Sequence, residues 1–115
     1  MTRTDPIRGE VWFVDLDPVR GREQSGLRPA LVLSVDVFNQ GPAELVVVVP
    51  ITSRRKNIRW HVEVVPPDGG LTVVSFIKCE DVRSISKDRL VKWAGLAKQS
   101  TIDAVADRMR ILLDL

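Results

Sequence analysis

Glu10-Val11-Trp12-Phe13-Val14-Asp15-Leu16 and, after a polar interval, Ala30-Leu31-Val32-Leu33-Ser34 decide how this chain folds. Both runs are rich in β-branched and apolar residues, and both predict strands. In the first, Val11, Phe13 and Leu16 compete with Trp12 and Val14 for the buried face, so both faces are apolar. That pattern suits a barrel, or a strand covered on both sides by its own fold and by a partner subunit. The interval from Arg20 to Pro29 (RGREQSGLRP) reads as a loop carrying chemistry. Gly21 and Gly26 mark turns, and the stretch offers guanidinium groups, a carboxylate, a carboxamide and a hydroxyl, with Arg28 held beside the stiff Pro29.

Outward from that pair, Leu45 to Val49 (LVVVV) has no polar face and predicts the middle strand of a sheet. Pro50-Ile51-Thr52-Ser53 ends it and leaves two hydroxyls at its exit. Asp36 to Pro42 is turn-rich, and the basic run Arg54, Arg55, Lys56, Asn57 and Arg59 reads as a loop. Residues 61–77 predict a hairpin: a strand from His61 to Val65, a Pro-Pro-Asp-Gly-Gly turn, and a second strand from Leu71 to Ile77. Residues 78–86 predict a turn and a short strand, Lys87 to Leu90 a turn or single helical turn, Val91 to Ala94 a last strand, and Gly95 a break. The period then changes. Ile102, Val105, Met109 and Leu112 recur at helical spacing with Ala106 and Leu113, while Asp103, Asp107, Arg108 and Arg110 lie mainly opposite. Ser100 and Asp103 form a candidate capping pair for this helix, with a slightly earlier start as the alternative. Strands followed by a terminal helix predict antiparallel pairing, in a small, strongly bent barrel with the helix over one opening.

The 115 residues predict one domain, spanning 1–115, with enough chain to bury a core without metal or disulfide staples. A single cysteine, Cys79, excludes an internal disulfide, and a single histidine excludes a Cys/His zinc cluster. No metal and no cofactor are expected. The N-terminal stretch lacks an apolar signal core, and no run approaches a membrane span, so a cytoplasmic protein that avoids membranes is expected. The net charge is only +2, so the basic clusters at residues 20–28, 54–59 and 83–89 are local features.

The ordered blocks Gly9 to Pro18, Gly21, Glu23-Gln24, Gly26 and Arg28 to Ser34 closely resemble the N-terminal signature of MazF/PemK-type toxins. Val48 to Ser53, Asp81 to Leu90 and the helix extend the resemblance over nearly the whole chain. The resemblance implies an SH3-like barrel with a C-terminal helix, the MazF/Kid/CcdB-like toxin fold, generally as a homodimer. It implies metal-independent, sequence-specific cleavage of single-stranded RNA, and a MazE-like antitoxin as partner. The family's main catalytic arginine falls on Arg28 and its catalytic threonine on Thr52, while Glu23 and Gln24 match polar positions of its active-site loop.

In metal-free cleavage the substrate's own 2′-hydroxyl attacks phosphorus, giving a 2′,3′-cyclic phosphate and a 5′-hydroxyl. The protein must align the attack, stabilise the phosphorane and move protons. Arg28 suits the phosphorane, because guanidinium presents a planar fork of donors, and Thr52 can donate to the same phosphate. Glu23 is a candidate base, an assignment the sequence leaves open. Arg22, Gln24, Ser53, Arg54, Arg55 and Arg83 are candidate RNA contacts, with the 54–59 run readable equally as a solvated face. Some relatives have histidine at the position of Arg22 and Arg-Cys-Asp at Lys78-Cys79-Glu80, so their proton-transfer scheme does not carry over. His61 reads as a structural histidine, packed or exposed, Cys79 as a small packed residue, and Trp12, Trp60 and Trp93 as core or dimer contacts. The alternative function is a non-enzymatic toxin on the same fold, such as a gyrase poison, against which the tail Ile111 to Leu115 lacks a tryptophan.

Overall fold

The computed structural model describes residues 5–16 and 27–115. The strands are β1 (Glu10–Asp15), β2 (Leu27–Val32), β3 (Leu45–Thr52), β4 (His61–Val64), β5 (Ser75–Lys78), β6 (Arg83–Ser86) and β7 (Leu90–Leu96). A short helix, α1 (Asp36–Asn39), follows β2, and α2 (Gln99–Leu113) ends the chain. Every pairing is antiparallel. The strands run in the order β4-β5-β3-β2-β1-β7, with β6 paired to β3, so the sheet is an open path rather than a closed barrel.

The continuous apolar run of β3 follows from its place at the centre. Its first half pairs with β6 through Leu45–Ser86 to Val48–Arg83, and its end pairs with β5 through Ile51–Ile77 and Thr52–Phe76. On its other edge, β2 pairs from Val32–Val48 to Ala30–Pro50.

The pleat sorts side chains into two cores. Val11, Leu31, Val49, Ile51 and Ile77 pack with Ile102, Val105 and Met109 of α2. Val14, Ala30, Val32, Val46, Val48 and Ile85 form the second cluster, flanked by Trp12, Leu16 and Leu90. Both faces of β1 are therefore covered within one chain, helped by register shifts against β7 at Val11/Trp12 and Phe13/Val14.

Local departures from expectation have physical causes. Leu71 to Val74 is not strand: Leu71 is buried while Val73 and Val74 are exposed, and the hairpin's second arm begins only at Ser75. Gly95 does not break the last strand but sits inside β7. A Cβ there would come within 2.7 Å of the Gly70 amide nitrogen, so glycine is what lets the two backbones meet. The helix is capped neither by Ser100 nor by Asp103. Its N-cap position is Lys98, and the buried Asp68 accepts from Lys98 N–H at 2.8 Å and from the Thr101 hydroxyl at 2.5 Å. The 36–42 turn contains one short helix, with Asn39 fully buried and its amide donating to the carbonyls of Pro6 and Ser34.

Candidate active site

β2 and β3 part company beyond the Ala30–Pro50 pair, because β3 turns to pair with β5 while the start of β2 stays with β1 through Val14–Arg28 and Asp15–Leu27. Arg28 lies two residues before the last β2–β3 pair and Thr52 two residues beyond it, so the two stand on the two arms of the fork, Arg28 paired with Val14 of β1 and Thr52 with Phe76 of β5. Both residues are half-buried, placed on strands rather than on a loop. The Thr52 hydroxyl accepts from Arg54 N–H at 3.1 Å, which leaves its own proton to donate outward.

A cleft of about 360 Å³ opens at the same fork, large enough for a nucleotide-sized ligand. Leu27, Pro29, Ile51 and Ser53, the alternate residues of the two strands, contribute to its lining with Phe13, and Arg28 lies on it too. The opposite wall is Gly70, Leu71, Thr72, Val73 and Ser75. Sequence reading found Arg28 and Ser53 but missed Phe13 and residues 70–75, since that segment is remote from both along the chain and carries no motif.

The other candidates fall in several places. Arg54 supplies the turn amide to Thr52 and its side chain is exposed. Arg55 lies over the Phe76 ring at 4.7 Å and within 3.6 Å of Glu63, tying the loop to β4 and β5. Arg83, exposed at the start of β6 opposite Val48, is not among the cleft-lining residues. Arg22, Glu23 and Gln24 lie outside the described residues.

His61 is packed as expected: its side chain is 4% exposed, and its Nε2–H donates to the Glu80 carboxylate at 3.0 Å. Glu80 is thereby engaged away from the cleft, and Lys78 pairs with Asp81 at 3.6 Å. Cys79 is fully buried, and burial, reinforced by the neighbouring Glu80 charge against the opposing pull of Arg108, pushes its thiol up to about 11. An un-ionised thiol is no nucleophile. Trp12 packs on the second core cluster, Trp60 lies under the Arg59 guanidinium at 4.9 Å, and Trp93 is half exposed on β7. Among the described residues, no group of three His, Cys, Asp or Glu side chains could hold a metal, and no helix is long and apolar enough to cross a membrane.

Comparison with known proteins bears directly on this geometry. The chain is 35% identical over 113 residues to the Mycobacterium tuberculosis protein endoribonuclease MazF9, covering 94% of this chain and 96% of that one. It is 34% identical over 109 residues to endoribonuclease EndoA of Bacillus subtilis, covering 94% of each. Among solved structures, MazF from Deinococcus radiodurans superposes with a TM-score of 0.82 at 28% identity, over 98% of this chain and 100% of that one. A mycobacterial endoribonuclease in complex with its cognate antitoxin matches at 0.80 and 26% identity, over 96% of each chain. A family model described as PemK-like, MazF-like toxin of type II toxin-antitoxin system matches residues 7–113. With a match of that extent, and an antiparallel sheet and terminal helix shared with MazF structures, the chain belongs to the PemK-like, MazF-like toxin family of type II toxin-antitoxin systems.

Proposed function

We propose that this toxin is a metal-independent endoribonuclease that cuts single-stranded RNA at a short sequence, working as one domain in the cytoplasm and neutralised by a MazE-like antitoxin. The observation that carries the reading is the nucleotide-sized cleft at the fork of β2 and β3, lined by Arg28, Ile51 and Ser53, with Thr52 between the last two in the chain. The named activity of relatives such as MazF9 and EndoA supports it.

In the reaction, the substrate's 2′-oxygen forms a bond to phosphorus and the bond from phosphorus to the 5′-oxygen breaks. The 2′-hydroxyl proton leaves to a base, for which Glu23 is the candidate, and the departing 5′-oxygen gains a proton. Arg28 offers two parallel N–H donors to the phosphorane oxygens, and strand placement keeps the guanidinium's anchor fixed as charge develops. The Thr52 hydroxyl, its lone pair occupied by Arg54 N–H, donates to the same phosphate. Ser53 at the cleft and the exposed Arg54, with Arg22, Gln24, Arg55 and Arg83, contact the RNA backbone and bases. Unpaired RNA suits such a site, because its base edges and faces are accessible. The same basic surface suits an acidic, flexible antitoxin segment, and solved MazE–MazF complexes exist for the Deinococcus radiodurans protein.

The homodimer is proposed on family membership and on β7, the end strand of the sheet path, which leaves Val91, Trp93 and Leu96 half exposed or more. Sedimentation at micromolar concentration should show a dimer; monomer alone would remove that part of the reading.

The test is incubation of a long RNA with the protein in EDTA, followed by mapping of the new ends. Discrete cuts bearing 2′,3′-cyclic phosphate and 5′-hydroxyl ends are expected, with Thr52→Val slowed about tenfold by loss of one donor. Cleavage abolished by EDTA, or 5′-phosphate ends, would refute the chemistry.

A further inference from the structure

The second wall of the cleft is held more firmly than a surface connection requires. Gly70 has φ +74°, and a Cβ there would come within 2.0 Å of the Ala94 carbonyl oxygen, so the backbone is pressed against β7. Just before it, the buried Asp68 is locked to the start of α2. Just after it, Leu71 is buried in the main core, and the buried Ser75 hydroxyl donates to the Val73 carbonyl at 2.9 Å. Core, helix and neighbouring strand therefore all fix the chain on either side of Thr72 and Val73.

Those two side chains serve none of these anchors. Thr72 is exposed, and among the described residues no hydrogen bond holds its hydroxyl. Val73 is 54% exposed. Both line the cleft, across from Arg28 and Ser53 and together with the aromatic ring of Phe13. A flat apolar ring, an aliphatic contact and a free hydroxyl on a rigid frame are what one unpaired base needs: a surface to lie against and a polar group to read its edge.

Resting on the endoribonuclease reading, we infer that this cleft seats the base flanking the cleaved phosphate, and that Thr72 and Val73 determine which base it accepts. Arg28, which lies on the cleft, links the base seat to the phosphate. Phe13 supplies affinity shared by all four bases, whereas the Thr72 hydroxyl and the Val73 methyl groups supply the choice among them.

The test compares the wild-type protein with Thr72→Val, Thr72→Ser and Val73→Ala. All new 5′-hydroxyl ends on a long RNA are mapped, and kcat/KM is measured on oligonucleotide pairs differing at one base beside the cut. Thr72→Val should lose about tenfold of the discrimination at one position of the motif, the scale of a single hydrogen bond. Thr72→Ser should restore most of it, and Val73→Ala should relax the same position. Melting temperatures should stay close to wild type, as both side chains are exposed. An unchanged motif, with discrimination within twofold in every variant, would overturn the base-reading role and leave the nuclease reading standing. A wild-type protein that cuts no RNA would overturn both.

Discussion

Replacing Asp68 with alanine should destabilise the protein by about 2–4 kcal/mol, although the residue touches neither the cleft nor RNA. Its carboxylate accepts from Lys98 N–H at 2.8 Å and from the Thr101 hydroxyl at 2.5 Å, with Asp68 itself only 7% exposed. The first contribution is a helix cap supplied from 30 residues away, since Lys98 brings no capping side chain. Losing a cap costs roughly 0.5–2 kcal/mol. The second is the Thr101 hydroxyl, which would be buried without a partner at a cost of roughly 1–3 kcal/mol. For a chain of this size each kcal/mol shifts Tm by roughly 4 °C, so the variant should melt about 8–16 °C lower. Asp68→Asn should cost only about 1 kcal/mol, because its carbonyl still accepts from Lys98 and its amide can donate to Thr101. Urea unfolding followed by tryptophan fluorescence measures both. Asp68→Ala within about 0.5 kcal/mol of wild type, or Asp68→Asn as damaging as alanine, would refute this account of how α2 is anchored.

Gly70→Ala should be at least as severe, roughly 3 kcal/mol or more, since the new methyl meets backbone atoms and the residue sits at φ +74°; thermal melting of Gly70→Ala beside wild type checks this. The Cys79 thiol should resist a disulfide reagent at pH 8 in the folded protein and react at once in urea, because burial holds it protonated. Its pKa is raised from 9.0 to about 11, so the folded state keeps a proton that the unfolded chain releases. Stability from this group is therefore full below pH 9 and falls by about 2–3 kcal/mol as pH rises towards 11. Unfolding curves against pH should show a shallower decline for Cys79→Val, and equal slopes would contradict the assignment.

How much of this was legible in the sequence depended on how far apart the deciding residues lie. The strand of Glu10–Asp15 and the helix of Gln99–Leu113 announce themselves through composition and local periodicity, and α2 buries Ile102, Val105 and Met109 as that periodicity requires. The apolar run from Leu45 to Val49 marks β3, but the strand continues through Pro50 to Thr52 instead of ending at the proline, because Pro50 pairs with Ala30 and Ile51 and Thr52 pair with β5. Antiparallel pairing followed from the lack of crossover helices. Leu71 to Val74 misled, because an apolar, β-branched composition also describes a connection whose residues are exposed for another reason. Gly95 misled in the opposite sense: absence of a side chain reads locally as a break, whereas here it admits Gly70 to the edge of β7. The capping pair at Ser100 and Asp103 was a local guess where Asp68 acts from a distance. Of the two apolar faces of β1, Val11 and Val14 are buried in separate clusters within the chain while Trp12 and Phe13 stay half-buried, and the exposed side chains of β7 add a second apolar surface to the dimer expectation.

Of the site, Arg28 and Thr52 were readable only through family resemblance, since an arginine before a proline and a threonine at a strand end are ordinary alone. What the fold adds is their place on the two arms of the fork of β2 and β3 and the cleft that opens there. Phe13, Thr72 and Val73 had no signal at all, because a cleft assembled from four separate segments leaves no pattern in any one of them.

The most direct test of the central claim is the single-turnover cleavage rate of Arg28→Ala on an RNA that the wild-type protein cuts, measured in EDTA with folding confirmed by an unchanged melting temperature. If Arg28 stabilises the phosphorane, removing it should slow cleavage about 10²–10³-fold, the cost of losing an electrostatic donor to a charge that develops in the transition state. A rate within about threefold of wild type, well short of that cost, would contradict the account.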